Sequence, residues 1–142
     1  MKGPGGFLLV QSGGRRIGLP LAQIWEVIQL GDIRPVPVVG RAVRGVIAVH
    51  GRMMPLINLS ALLNSDQPSL TLGSMGVVAS VDGRRVCLEV DDAEIVVRDS
   101  ALPVPPGETL PWAIGVARYA DGLVPLLDLG ALSTRLMEAA SI

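Results

Sequence analysis

Few side chains in this sequence have the chemistry of a catalytic or metal-binding group. The 142 residues include one histidine, His50, and one cysteine, Cys87. One cysteine cannot form an intrachain disulfide or a cysteine metal cluster, and one histidine cannot supply a multi-histidine metal site within one chain. No glycine-rich loop followed by Lys-Ser or Lys-Thr is present to hold a phosphate. The sequence therefore predicts neither a catalytic triad nor a P-loop.

The acidic pair Asp91-Asp92 is the remaining candidate for acid–base chemistry. Two carboxyl groups can act as acid and base only where both reach the same substrate. Neighbouring residues of a strand point to opposite faces, so a solvated turn after a strand is the simpler interpretation. We therefore expect no enzymatic activity, no cofactor and no metal.

The segment that holds His50 occurs twice in the chain. Residues 45–62 match residues 115–132 without a gap, with Gly, Val, Pro, Leu and Ala at corresponding positions. Residues 14–21 match residues 83–90, and both segments begin with Gly-Arg-Arg. The offset between these two segments is 69 residues, one fewer than the offset of 70 between the first two. Self-similarity at a fixed period indicates an internal duplication, here of a unit of about seventy residues.

Each repeat has the pattern of short strands separated by glycine turns. Gly13-Gly14, His50-Gly51 and Asp82-Gly83 are predicted turns, because glycine adopts positive φ without strain. A helical turn is expected at residues 22–26 and a linker between the repeats at residues 62–74. The predicted strands are residues 7–11, 15–21, 27–30, 43–49, 53–59, 76–81, 84–90 and 95–97, with a last hairpin within residues 115–129 and a short amphipathic helix at residues 132–140.

The expected fold class is all-β. Two copies of a five-stranded unit suggest two five-stranded SH3-like barrels packed side by side, because closing each sheet removes most exposed edges. Subdomain 1 is expected over about residues 14–63 plus terminal segments, and subdomain 2 over about residues 75–133. The barrels would share a core, so residues 1–142 are expected to form a single domain.

Composition indicates an interior packed mainly by aliphatic side chains. Hydrophobic residues make up 49% of the chain and aromatic residues only 3%.

The first six residues leave no room for a secretory signal, and no apolar run approaches the length of about eighteen residues that a membrane span needs. The sequence therefore predicts a cytoplasmic location.

The charges are distributed unevenly between the two halves of the chain. The net charge of −1 argues against general attraction to nucleic acid or anionic lipid. Residues 1–71 carry seven basic and three acidic residues, whereas residues 72–142 carry five basic and ten acidic residues. Unlike charges on homologous halves favour head-to-tail contacts between molecules, with solvated surface charge as the simpler alternative.

The repeated Gly-Arg-Arg motif and Trp25 each allow two interpretations. The arginines could recognise an anion, but exposed strand starts explain them more simply, since alternate strand residues face solvent. Trp25 is interpreted as a core residue between the barrels. An exposed partner anchor is the alternative, because aromatic side chains are enriched in binding hot spots.

Several short motifs span nearly the whole chain. They are Phe7-Leu8, Gly18-Leu19-Pro20-Leu21, Trp25-Glu26-Val27, Pro35-Val36-Pro37, Gly45-Val46, Gly51 with Pro55 and Leu59, Val90-Asp91, and Gly115-Val116 with Leu127-Asp128-Leu129. In this order and spacing they resemble the CheW-like domain of bacterial chemotaxis coupling proteins, over about residues 7–136.

The resemblance implies a non-catalytic adaptor that links chemoreceptors, the methyl-accepting chemotaxis proteins, to a CheA-type histidine kinase whose regulatory domain has the same fold. By position, the implied receptor and kinase contacts fall on Ile24, Glu26, Val27, Gly45, His50 and Gly51. Val43 is expected to line the apolar receptor groove with Ile24 and Val27. Arg41 and Arg44 are expected to take part in contacts with another CheW-like domain.

Two positions depart from the family pattern. His50 stands where the family usually has an arginine that can pair with the glutamate equivalent to Glu26, and Asn58 stands where it has an aspartate. A histidine is mostly neutral at cytoplasmic pH, so the partner surface could be retuned or partly lost, and His50 could be a turn residue only. The alternatives are a divergent member that keeps only receptor binding and a small-molecule-binding β-barrel sensor, although no polar cluster for a ligand is visible.

Overall fold

Ten β-strands make up most of the described part of the chain. The computed structural model describes residues 6–30, 43–59, 75–97, 102–103, 113–119 and 122–130. A 3-10 helix at Leu21–Gln23 joins the second and third strands. The strands are β1 (Phe7–Ser12), β2 (Arg15–Pro20), β3 (Ile24–Gln29), β4 (Val43–Val49), β5 (Arg52–Asn58), β6 (Met75–Val81), β7 (Arg84–Val90), β8 (Asp92–Val97), β9 (Ala113–Tyr119) and β10 (Gly122–Leu127).

The all-β prediction is confirmed, with small shifts at element boundaries. The expected helical turn at residues 22–26 is shorter than predicted, because Ile24 already begins β3. The expected linker at residues 62–74 and the C-terminal helix at residues 132–140 lie outside the described residues. No helix within the described ranges is long and apolar enough to cross a membrane.

The predicted two-residue turns connect the hairpins. His50 and Gly51 have φ values of 50° and 80° between β4 and β5, and Asp82 and Gly83 have φ values of 50° and 78° between β6 and β7. Positive φ at both central residues matches the right-handed twist of the flanking strands, which is why such turns close hairpins. The turn at residues 50–51 therefore holds the His50 side chain at the exposed end of a hairpin.

The strands form two five-stranded mixed sheets with the same internal order. Sheet A has the order β8-β1-β2-β10-β9, and sheet B has the order β3-β6-β7-β5-β4. The parallel contact Leu126–Gly18 between β10 and β2 in sheet A corresponds to Leu56–Cys87 between β5 and β7 in sheet B. These pairs are related by the repeat spacing, so the duplication in the sequence is also a duplication of strand pairing.

Each sheet combines strands from both repeats. The β1–β2 hairpin of the first repeat joins three strands of the second, and the β6–β7 hairpin of the second repeat joins three strands of the first. The two sheets therefore do not follow the two halves of the sequence strand by strand. The reason is that a hairpin fits equally well against its own repeat or against the homologous strands of the other, so local pattern does not decide between them.

A shared apolar core lies between the sheets. It is formed by buried side chains of sheet A, such as Val10 and Leu19, packed with side chains of sheet B, such as Val77 and Leu88. Each sheet also buries a smaller cluster on its other face, around Leu56 in sheet B and Leu126 in sheet A. Strands such as β5 and β10 are therefore buried on both faces, which is consistent with two barrels that share one core.

The exchange of hairpins also redistributes charge. The strands of sheet A carry three arginines against Asp92 and Glu94, and those of sheet B carry four arginines against Glu26 and Glu89. The opposite charges of the two sequence halves therefore do not become opposite charges on the described strands of the two sheets. The physical basis expected for head-to-tail attraction is absent from these strands.

Candidate functional site

Glu26 and His50 form a hydrogen-bonded pair at the surface of sheet B. Nε2 of His50 lies 2.8 Å from Oε1 and 3.1 Å from Oε2 of Glu26. Glu26 comes from β3, and His50 comes from the turn after β4, so the contact joins elements from opposite ends of the sheet order. The relative exposures of the two side chains are 37% and 76%. The pair therefore presents its polar groups to solvent while it connects the two edges.

The geometry requires a proton on Nε2 of His50. A neutral imidazole with its proton on Nε2 donates to the carboxylate, and a protonated imidazole donates and adds a full positive charge. In either state Glu26 remains the acceptor. The site can therefore present a net charge that changes with the protonation of one side chain, which an arginine at the same position could not do.

The apolar residues expected to accompany this pair have different degrees of exposure. Val27 is exposed on β3, with 38% of its surface accessible. Ile24 is half-buried and packs against the shared core, and Val43 is half-buried at the start of β4. Gly45 is buried, and Gly51 is exposed in the turn. Of the expected apolar groove residues, Val27 offers the most accessible side chain.

Arg44 has an intramolecular role in the structure. It is the extra residue of a bulge between β4 and β5, and its Nε donates to Oε1 of Glu89 at 2.9 Å. Glu89 is fully buried, and the Arg44 side chain keeps 23% of its exposure. The expected intermolecular role of Arg44 therefore competes with a buried ion pair, and Arg41 lies outside the described residues.

Asn58 completes this buried network. Its side-chain amide donates to Oε1 of Glu89 at 2.8 Å. No buried side-chain nitrogen or oxygen among the described residues lacks a hydrogen-bond partner. The asparagine that departs from the family pattern is thus matched to a buried glutamate, since an amide can donate to a carboxylate and another carboxylate could not.

The interpretation of Trp25 as a core residue is wrong. The side chain is 59% exposed, and the guanidinium carbon of Arg85 lies 3.8 Å from the centre of its ring. Sequence reasoning did not place Arg85 near β3, because this contact depends on the exchanged hairpin. The repeated Gly-Arg-Arg motif was the available signal for it.

The two Gly-Arg-Arg motifs behave alike. The first arginine of each, Arg15 or Arg84, is exposed, as expected for a strand start. The second arginine of each contacts an aromatic ring, and Arg16 lies 5.2 Å from the ring centre of Tyr119. Arg16 also pairs with Glu94, and this hydrogen bond lowers the pKa of the Glu94 carboxyl. The expectation of an exposed strand start therefore holds for the first arginine of each motif, whereas the second arginine makes specific contacts.

Within the acidic pair at residues 91–92, Asp91 has a structural role. Oδ2 of Asp91 accepts a hydrogen bond from the Gly13 backbone N–H at 2.9 Å, which anchors the β1–β2 turn.

Cys87 is fully buried, and desolvation raises its pKa to about 12, with a smaller contribution from the charge of Glu89. No group of three or more metal-ligating side chains occurs among the described residues.

These features define a duplicated, nearly all-β domain in which the repeats exchange hairpins to form two sheets. The sequence model of the CheW-like domain family matches residues 6–137. The chain therefore belongs to the CheW-like domain family, which consists of scaffold and adaptor domains of chemotaxis.

A solved structure supports the fold assignment. The scaffolding protein TtCheW from Thermoanaerobacter tengcongensis superposes with a TM-score of 0.78 at 21% sequence identity, over 91% of this chain and 92% of that chain. A search of curated proteins gave no match. The similarity to TtCheW concerns the fold, and the family match concerns the sequence of nearly the whole chain.

Proposed function

We propose that this chain is a non-catalytic adaptor that couples chemoreceptors to a CheA-type histidine kinase in chemotaxis or a related motility pathway. Membership in the CheW-like family over residues 6–137 supports the adaptor class. The contact between Glu26 and His50 supports a partner surface, because both residues stand at positions where the family resemblance implies contacts. A cytoplasmic location is part of the proposal, since the receptor tips and the kinase are cytoplasmic.

The surface around this pair has the composition of a protein-binding site. Val27 adds exposed apolar area on the same edge strand as Glu26 but on the opposite face, since neighbouring strand residues alternate, and the exposed turn at Gly51 lies next to His50. An exposed apolar residue and a polar pair on one edge strand combine affinity with specificity, because the wrong partner would leave the polar groups unpaired. Two protein partners, a receptor tip and a kinase regulatory domain, fit such a surface better than a small substrate.

His50 and Asn58, which depart from the family pattern, bear on whether the chain binds both partners or only the receptor. Asn58 is turned inward to Glu89, so the replacement of the family aspartate affects the core in this structure. His50 is exposed, so the replacement of the family arginine affects the surface. We therefore expect that any change in partner preference acts through His50.

The test is to measure binding of the full chain to each partner separately. Isothermal titration with a receptor cytoplasmic tip fragment and with the regulatory domain of a CheA-type kinase should give binding in both cases. Binding of the receptor fragment alone would show a one-interface member of the family. If neither partner binds at millimolar concentration, the coupling function is refuted.

A further inference from the structure

Trp25 and Glu94 occupy equivalent positions in the two sheets. Trp25 is the extra residue of a bulge between β3 and β6, and Glu94 is the extra residue of a bulge between β8 and β1. A bulge redirects the side chain of its extra residue relative to the regular strand. In each sheet that side chain meets the second arginine of the Gly-Arg-Arg motif, which is Arg85 in sheet B and Arg16 in sheet A.

Sheet A shows a complete arginine site. Nε of Arg16 lies 2.7 Å from Oε2 of Glu94, and Nη2 lies 3.1 Å from Oε1. The guanidinium also lies over the ring of Tyr119. Arg16 therefore contacts both an aromatic ring and a carboxylate. It binds the carboxylate of Glu94 through two hydrogen bonds, which is the strongest geometry for an arginine–carboxylate pair.

Sheet B has the arginine at the same place, and the Trp25 ring stands where sheet A has the carboxylate of Glu94. A surface pocket of about 490 Å³ lies beside them. Its described lining residues include three arginines and no acidic residue: Arg52, Arg84 and Arg85, with Trp25, Met53 and Ser80. The Trp25 and Met53 side chains are 59% and 56% exposed.

We propose that this pocket binds an acidic segment of a protein partner, with a glutamate or aspartate carboxylate on Arg85. Three guanidinium groups favour an anion, and the planar fork of an arginine fits a carboxylate. The exposed Trp25 and Met53 add apolar area that an inorganic anion would leave unused, so a peptide with an apolar residue beside its carboxylate fits best. The inference does not depend on whether the partner is a receptor or a kinase.

The experiment uses the full chain and a capped peptide of sequence Leu-Glu-Glu-Leu. Heteronuclear NMR would follow the indole N–H of Trp25 and the Nε–H of Arg85 during titration in the millimolar range. Both resonances should shift and saturate together, and the matched Leu-Gln-Gln-Leu peptide should bind at least about tenfold more weakly, because hydrogen bonds to charged groups are the stronger ones. Equal binding of the two peptides, or no binding of either, would overturn the proposal.

Variants connect the binding to Arg85. Arg85→Gln and Arg84→Gln each remove one guanidinium of the pocket, and Arg118→Gln is the control because it removes an exposed arginine of sheet A. Arg85→Gln should weaken peptide binding at least about tenfold, with a smaller loss for Arg84→Gln and none for Arg118→Gln. Circular dichroism would verify that each variant is folded. Peptide binding that survives Arg85→Gln unchanged in a folded variant contradicts the assignment.

The equivalence of residues 25 and 94 gives a second test. Trp25→Glu should place a carboxylate on Arg85, as Glu94 does on Arg16, and so abolish peptide binding. Trp25→Gln removes the ring without supplying a carboxylate and should retain part of the affinity. Equal affinities of these two variants would contradict the proposal that Arg85 binds a carboxylate in the way that Arg16 binds Glu94. Inorganic phosphate that binds as tightly as the peptide would indicate a simple anion site and overturn the peptide assignment.

Discussion

The side-chain amide of Asn58 donates a hydrogen bond of 2.8 Å to Oε1 of Glu89 inside the protein. The two residues are also register partners in the parallel contact of β5 with β7. The same carboxylate oxygen accepts a hydrogen bond of 2.9 Å from Nε of Arg44. The buried carboxylate of Glu89 therefore accepts hydrogen bonds from a cation and from an amide, and the network joins three neighbouring strands.

We expect Asn58→Asp to destabilise the protein by about 3 kcal/mol near neutral pH, because it places a second carboxylate beside a buried one. Protonation of the introduced aspartate would relieve the repulsion, so the loss should decrease as the pH is lowered. Urea unfolding at several pH values measures both effects. The control is Asp128→Asn at the equivalent position of sheet A, where an amide oxygen can still accept the Gly130 N–H. Equal stability of Asn58→Asp and the natural chain would contradict this account.

Val27→Asp should weaken binding of the receptor tip by about tenfold or more, because a charge in an apolar interface is costly to desolvate. Val96 is its equivalent on β8, with an exposure of 41% against 38% for Val27. Val96→Asp therefore adds the same charge to a similarly exposed strand position of the other sheet. Titration calorimetry with both variants compares the two surfaces, and equal losses would not support a site on β3.

Partner binding should strengthen as the pH falls from about 7.5 to 5.5, because protonated His50 restores the positive charge that an arginine carries at this position. His50→Arg should bind at pH 7.5 as tightly as the natural chain does at the acidic end, and His50→Gln should remove the pH dependence. Fluorescence anisotropy with a labelled partner measures these affinities. A flat pH profile in the natural chain would show that the contact between Glu26 and His50 is not part of the interface.

The ion pair of Arg16 with Glu94 should make stability depend on pH in the acidic range. The hydrogen bond from Arg16 lowers the pKa of Glu94 in the folded protein. A lowered pKa stabilises the fold above the carboxyl's ordinary pKa of about 4.3, and this contribution is lost as the pH falls through the folded value. The stability difference between the natural chain and Arg16→Gln should therefore be constant near neutral pH and decrease below about pH 4. Arg15→Gln, at an exposed neighbour, should show no such dependence.

Cys87 should not react with thiol reagents in the native protein. Its side chain is fully buried, and its pKa is raised to about 12, so neither access nor thiolate is available at pH 8. Labelling with a maleimide, followed by mass spectrometry, should give no adduct in buffer and full modification in denaturant. Rapid native labelling would show that sheet B opens readily at β7.

Local features of the chain could be predicted from the sequence because their causes are local. Turn pairs such as Asp82-Gly83 need positive φ, which few residues adopt, so they identify hairpins without any tertiary information. The duplication is visible because equivalent residues, such as Gly45 and Gly115, keep their spacing. The contact between Glu26 and His50 was expected from the resemblance to the family, and the structure shows the two side chains together.

Other features were decided only by the tertiary structure. Because the repeats are homologous, each hairpin has two chemically similar places to pair, and only the packing of the shared core selects the exchanged one. That choice brings Arg85 to Trp25 and Arg16 to Glu94, and it places Glu89 beside Asn58. The sequence by itself determined the elements, the repeats and the family. Which charged side chains contact each other depended on which repeat supplied each strand of a sheet. The alternation of apolar and polar residues along a strand carries no information about its neighbouring strands.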